Sequence, residues 1–417
     1  MRSVIDKAGL PTIRVASYKS LKDEVEIRLR PLTMLYGRNQ AGKSTLLRLL
    51  PLVADCLQPG VPALDLQSPA LRGATFKELG WLGQDPTYSP RLTFIATEVE
   101  HEPTYQIELT DQDGCVPNRI ELRHGPAGDK FKVSLDGLPE RTATQIRALY
   151  AGNYKGKEWS GELEFSSLVP SGLPDEAQTI VSAVALSLEC LKRIQWLIAN
   201  RLFEHQPSVR NARCCSPDGS NLATLLKAND PVLKLASDWL AHQDRIGVEV
   251  SVQADSTGQV GFEIRPAGGE RLPLRLAGEG LRALLPILIC ASWADTKQAD
   301  SPSMLAIEEP ESNLHPNLQI ALFDRLVETC RASVPVILET HSVYMLRAMQ
   351  RAVLRGDLQP QDIGLYWLDQ ADGAASCTEI TVIEDATLEG WLPGEFEQEQ
   401  ELAREIMQLR WDRGAPE

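Results

Sequence analysis

Past residue 300 the chain alternates short apolar runs with stretches whose apolar positions recur every three or four residues. The run "SMLAIEE" (303–309) precedes a helical pattern from about residue 316. "VPVILET" (334–340) precedes another from about 342, and "DIGLYWLD" (362–369) closes the series. Strands alternating with helices predict a mostly parallel sheet covered by helices, an α/β fold. Nearer the start, residues 11–36 predict two strands, "TIRVASYKSL" and "VEIRLRPLTMLYG", the second with Val25, Ile27 and Leu29 alternating against charges. A Gly-rich loop and the helix "STLLRLLPLVADCL" come next. Between about 60 and 152, "RLTFIATEVE", "TYQIELTD", "RIELRHG" and "FKVSLDG" read as strands, with turns at Asp113-Gly114 and Asp136-Gly137. Residues 175–204 predict one long helix, and 220–242 more helix. "IGVEVSVQAD" and "QVGFEIRP" predict a hairpin, and 278–295 an apolar helix.

Composition narrows the class. The chain has 417 residues, 43% hydrophobic and 24% charged, so one large elaborated domain or two to three domains of an ordinary folded protein are expected. No window approaches ~18 uninterrupted apolar residues, and "MRSVIDKAGLPTIRV" lacks an apolar signal core, which leads us to expect a soluble cytoplasmic protein. The eight cysteines form no CxxC pair; neither a zinc site nor a disulfide framework is indicated. Net charge is −15, and residues 384–417 hold ten acids against three arginines. That balance does not advertise a large nucleic-acid surface, though it is compatible with a local basic groove.

Candidate chemistry begins where the run Leu32–Tyr36 ends. Gly37-Arg38-Asn39-Gln40-Ala41-Gly42-Lys43-Ser44, with Thr45 after it, is GxxxxGKS between a strand and a helix, the phosphate-binding P-loop pattern. Its backbone N–H groups and the helix's positive end would face the triphosphate of ATP. Lys43 would reach the β- and γ-phosphates, and the Ser44 hydroxyl would ligate Mg2+. A P-loop needs an acidic partner on a neighbouring strand, and "SMLAIEEPE" supplies one: Glu308 for the Mg2+ shell, Glu309 to polarise the attacking water, Glu311 to organise the turn. Taken alone, the segment is equally a helix start with solvated acids. "VILETHS" puts His341 at a strand end 32 residues past Glu309, where an imidazole can reach a γ-phosphate oxygen. Gly278 and Gly280 in "LRLAGEGLRALLPIL" precede an apolar helix, as an anion-facing helix start or a plain turn.

The order GxxxxGKS, Gly-rich helix start, strand-Glu-Glu-Pro-Glu, "LHP" and "ETHS" resembles the ABC-type ATPase heads of the OLD, RecF and SMC-like group. "GLYWLD…EGWLPGEFEQEQELAREI" resembles a small domain of unknown function that follows such heads in bacterial OLD-like ATPases. The resemblance covers about residues 11–50 and 270–400, with "SPDGSNLATLL" (216–226) familiar between them. It implies a P-loop NTPase head with a β subdomain and helical insertion. The expected division is 1–52 (N-terminal lobe with the P-loop), 53–252 (inserted β and helical subdomain), 253–360 (C-terminal lobe) and 361–417 (small acidic domain). By position, Lys43 and Ser44 match the Walker A lysine and magnesium serine, Glu308 and Glu309 the Walker B acid and catalytic glutamate, and His341 the switch histidine. Gly278 and Gly280 match the signature that contacts the ATP of the opposite subunit, although "AGEGLR" lacks that motif's usual serine. Gln67 and Gln84 both stand as candidates for the Q-loop glutamine.

That resemblance implies an ATPase that forms a homodimer or higher homo-oligomer through ATP-sandwiched heads. Its expected role is motor or sensor subunit in DNA maintenance or anti-phage defence. Only 76 residues follow His341, with no acidic cluster on strands, so a separate effector such as a nuclease is expected. DNA stays open as a partner, and no membrane partner is indicated. The competing class is a scaffold that sequesters a toxin or effector with little hydrolysis. A transporter ATPase fits poorly, with 233 residues between Lys43 and Ala277, and long SMC-type coiled coils are excluded by the length of 175–204.

Overall fold

Strand Leu32–Gly37 is buried at every position, which requires cover on both faces of its sheet. Its side chains divide between two cores. Leu32, Met34 and Tyr36 enter one, with Leu305, Ile307, Val336 and Leu338. Leu35 enters the other, with Ala306, Ile337, Tyr366 and Leu368. The period of two thereby decides which way every strand-end residue of the candidate site points.

The computed structural model describes residues 9–61, 63–81, 89–97, 102–112, 114–124, 130–201, 215–226, 230–242, 245–254, 260–371, 373–390, 404, 405, 407 and 408. Strands β1 (Thr12–Ala16), β2 (Val25–Arg28) and β3 (Leu32–Gly37) lead into helix α1 (Lys43–Cys56). After α2 (Phe76–Leu79) come β4 (Arg91–Ile95), β5 (Thr104–Asp111), β6 (Cys115–Arg123), β7 (Lys130–Leu135), β8 (Glu140–Arg141), β9 (Ile146–Tyr154) and β10 (Lys157–Phe165). Next are α3 (Asp175–Ser187), β11 (Ile194–Leu197), α4 (Leu222–Leu225), α5 (Pro231–Ala241), β12 (Val248–Ala254), β13 (Val260–Pro266) and β14 (Leu272–Pro273). The last part holds α6 (Glu279–Asp295), β15 (Met304–Glu308), α7 (Pro316–Arg331), β16 (Val336–Thr340), α8 (Val343–Leu354), β17 (Ile363–Ala371), β18 (Ala374–Val382) and β19 (Leu388–Glu389).

The described strands form three sheets. One is antiparallel, in the order β10-β9-β7-β6-β5-β4-β1-β2 with β8 beside β9. The second runs β11-β15-β16-β3-β17-β18-β19, parallel from β11 to β17 and antiparallel beyond. β12, β13 and β14 make the third, small one. α1 packs with the antiparallel sheet on one face of the parallel sheet; α6, α7 and α8 pack on the other. Leu46, Leu47, Leu49 and Leu50 of α1 are all buried, each worth about 1.5–3 kcal/mol of apolar transfer. The architecture is an α/β P-loop NTPase head with a β subdomain and a helical insertion. Both large sheets draw on distant sequence: β1 and β2 complete the antiparallel sheet, β11 edges the parallel one, and β17 joins the parallel sheet beside β3.

Two expectations need correction. Residues 11–36 hold three strands, because the second run breaks after Arg28, ahead of Pro31, and β2 and β3 go to different sheets. The long helix expected at 175–204 ends at Ser187, a 3-10 turn covers Leu188–Leu191, and Ile194–Leu197 becomes β11. There Ile194 pairs with Met304 and Leu197 with Ile307, so a parallel ladder wins over helical periodicity. Helix is present at 220–242 as expected, in α4 and α5, the latter started by Pro231 with Asp230 as its cap. The β12–β13 hairpin, α6 and the alternation from β15 to β17 stand as expected. Asp113 lies outside the described residues. No helix among the described residues is long and apolar enough to cross a membrane.

Candidate functional site

β3 delivers the P-loop at the C-terminal edge of the parallel sheet. Gly37 sits at φ 144°, and a Cβ there would fall 2.0 Å from the Leu368 carbonyl oxygen on β17, so only glycine lets the two strands approach so closely. Gly42, at φ 90°, caps α1; no side chain caps it and no acid lies in its first turn, which leaves the helix's positive end open to an anion. Gln40 and Gly42 turn the chain through positive φ, and Ala41 is buried beneath the loop. Arg38 and Asn39 are exposed, while Thr45 is buried only in part.

Lys43 folds back on the loop, its Nζ donating to the carbonyls of Gly37 at 2.9 Å and Arg38 at 2.6 Å. Burial holds its ammonium below the ordinary lysine range, against the opposing pull of Glu339, Glu309 and Glu311. Ser44, one residue on, donates its hydroxyl to Oε1 of Glu339 at 2.6 Å.

Glu308 ends β15 with its side chain on the α1 face, and it is 2% exposed. Arg48 grips it from α1 with Nε to Oε1 and Nη2 to Oε2, both 2.6 Å. Trp196 of β11 donates Nε1 to Oε1 at 2.9 Å. The expected metal acid is thus held by an arginine and an indole, while the carboxylate against Ser44 is Glu339. On β16, in register with Glu308, Glu339 is a residue that sequence reasoning passed over. Burial pushes its carboxyl up to about 7 against the Ser44 hydrogen bond, and neighbouring Glu308 adds to the rise.

Glu309 takes a positive φ of 40°, a conformation that costs a non-glycine residue about 1–3 kcal/mol. Its N–H donates to the Glu339 carbonyl at 2.8 Å. Its own carbonyl accepts from Nη2 of Arg201 at 2.9 Å. Arg201 also donates to the carbonyls of Glu308, Ile198 and Ala283 at 2.7, 2.7 and 3.0 Å, which ties β15 to α6. This guanidinium is 2% exposed, and burial pushes it down to about 10, still charged at neutral pH. Nothing in the sequence marks Arg201, which lies inside the stretch misread as one long helix.

His341 closes the site from the other side. Its Nδ1 lies 3.0 Å from the Gly37 carbonyl oxygen and its Nε2 3.8 Å from Oε1 of Glu309. A carbonyl can only accept, so Nδ1 carries a proton and donates to it, leaving Nε2 facing the site. Glu311 accepts the His341 N–H at 2.8 Å, which links the loops after β15 and β16, and burial pushes its carboxyl up. His315 caps α7, its Nδ1 accepting the Asn317 N–H at 3.4 Å.

P-loop, Glu309 and His341 therefore meet within one chain. Gly278 and Gly280 are placed differently. Gly278 faces open space, and a Cβ on Gly280 would sit 2.6 Å from the carbonyl of Asn313, on the loop after β15. Gln67 is exposed and bonds within its own loop to Asp65; Gln84 lies outside the described residues. Among the described residues no group of three or more His, Cys, Asp or Glu could hold a metal by itself. The oxygen donors at Ser44 and Glu339 fit Mg2+, a hard ion that takes one or two carboxylates with substrate phosphate and water.

Sheet order, P-loop and strand-end acids define a P-loop ATPase head. The chain belongs to the family described as "AAA domain, putative AbiEii toxin, Type IV TA system", which matches residues 32–347. No curated protein matches it. Among solved structures, it is similar to an Smc head bound to the C-winged helix domain of ScpA at 13% identity and TM-score 0.48, over 89% of this chain and 97% of that one. An Smc head with an extended coiled coil, bound to the C-terminal domain of ScpA from Pyrococcus furiosus, gives 11% identity and TM-score 0.48 over 95% and 100%. The SMC head domain from Thermotoga maritima gives 12% and 0.42 over 88% and 97%.

Proposed function

We propose that the chain binds ATP with Mg2+, hydrolyses it to ADP and phosphate, and dimerises on ATP through heads that complete each other's sites. One junction carries this reading: His341 lies between the Gly37 carbonyl of the P-loop and the Glu309 carboxylate. Lys43 exchanges the carbonyls of Gly37 and Arg38 for the β- and γ-phosphates, which rest on the open end of α1. Glu309, its side chain 38% exposed, orients the attacking water and takes its proton. His341 Nε2 fixes the far side of that water or of the γ-phosphate. When bound, Mg2+ draws charge from the phosphate oxygens, with Ser44 among its ligands.

Gly278 faces open space and its neighbour Leu276 is 63% exposed, so the start of α6 is free to meet a nucleotide held by a second chain. On that basis we assign the ATP-bound form as a homodimer. We place it with OLD-like heads, as a motor or sensor subunit in DNA maintenance or anti-phage defence working with a separate effector such as a nuclease. The toxin in the family's description favours a second reading, a scaffold that holds a toxin or effector while hydrolysing little.

Nucleotide binding and sedimentation test the proposal. The wild type should bind ATP and sediment as a dimer with it, and Lys43→Ala should do neither. ATP-dependent assembly without turnover would favour the scaffold. Phosphate release with and without duplex DNA at fixed salt tests DNA as a partner, and an unchanged rate with no binding removes it.

A further inference from the structure

We infer that Glu339, together with Ser44, holds the nucleotide's magnesium ion, and that Arg48 and Trp196 keep Glu308 away from it. This rests on the Mg2+–ATP reading and assigns the metal within it.

Sheet order supplies the first reason. β16 lies between β3 and β15, so the strand bearing Glu339 is next to the P-loop strand, and the one bearing Glu308 is a further ~4.8 Å away. The two acids share a register position and both point toward α1. Equal in height and face, they differ in lateral distance, and Glu339 is the nearer. Ser44, in the first turn of α1, meets Glu339 at 2.6 Å.

The second reason is coordination capacity. Both oxygens of Glu308 are committed to Arg48, and Oε1 also takes the Trp196 N–H. A cation there would displace a buried bidentate pair. Glu339 is 4% exposed, and its Oε2 is buried without a hydrogen-bond partner among the described residues. Lys43, the nearest ammonium of the loop, donates to backbone carbonyls instead. A buried carboxylate with one open oxygen needs a counter-charge, and a divalent ion on Ser44 and a phosphate supplies it.

Mn2+ titration followed by electron paramagnetic resonance, with the full chain and a non-hydrolysable ATP analogue, tests the assignment. Analogue binding is measured in parallel in EDTA. Glu339→Gln should keep metal-free nucleotide binding and lose roughly 10–100-fold in Mn2+ affinity, whereas Glu308→Gln should stay within about threefold of wild type. Glu339→Asp, which keeps the charge and shortens the arm, should fall between. Wild-type Mn2+ affinity in Glu339→Gln, or a loss confined to Glu308→Gln, overturns the assignment. A wild type that binds no nucleotide either with Mn2+ or in EDTA overturns the ATP reading and this one with it.

Discussion

His341 Nδ1 sits 3.0 Å from the carbonyl oxygen of Gly37, which fastens the loop after β16 to the P-loop. On the proposed reading the ring acts in turnover, while the P-loop supplies the binding energy. His341→Ala should lower ATP turnover by roughly 10²–10³-fold and leave ATP affinity nearly unchanged. Phosphate release alongside equilibrium nucleotide binding checks this. An equal loss in both would make His341 a binding residue.

Arg48 and Glu308 form a buried pair whose halves do not survive separation. Arg48→Leu leaves a carboxylate that is 2% exposed with, among the described residues, only the Arg72 guanidinium, 4.0 Å away, to balance it, and should cost about 3–5 kcal/mol. Arg48→Leu with Glu308→Leu removes both charges and should recover most of that loss. Denaturant unfolding of the three proteins measures it.

Arg201 donates in several directions from one planar fork: to the Glu308 and Glu309 carbonyls of the site, to Ile198 and to Ala283 of α6. Lysine keeps the charge but has no fork. Arg201→Lys should destabilise by roughly 2–4 kcal/mol and slow hydrolysis, since Glu309 at φ 40° loses the guanidinium hydrogen bond to its carbonyl. Unfolding midpoints and turnover rates should fall together. Full activity in a destabilised variant would confine Arg201 to the fold.

Glu339 gives the nucleotide-free protein a pH dependence. Burial raises its carboxyl from an ordinary 4.5 to about 7, so between those values the folded chain holds a proton that the unfolded chain has lost. Its contribution to stability is complete below about 4.5 and disappears as pH rises through 7. Glu339→Gln should therefore gain on wild type, by on the order of 2–3 kcal/mol, between about pH 5 and about pH 8. Unfolding in EDTA at both ends checks the sign.

The parallel strands and the P-loop were legible because β3, β15 and β16 are buried on both faces and read as mostly apolar runs. Glu309 and His341 were legible because each ends such a run. β11 was not: Ile194, Trp196 and Leu197 fit a helix's spacing, and only pairing with β15 makes them a strand. That error concealed Trp196 and Arg201, both of which hold the β15 end. Glu339 was in plain view in "VILETHS", one residue before the threonine. Its part depends on β16 lying between β3 and β15, a sheet order that no local pattern encodes.

ATP turnover by Glu309→Gln against wild type, with sedimentation in ATP, tests the central claim most directly. The variant should bind ATP, lose at least about 10²-fold in turnover and accumulate as an ATP-bound dimer. Hydrolysis by Glu309→Gln at the wild-type rate would contradict the assignment of Glu309 as the residue that activates water.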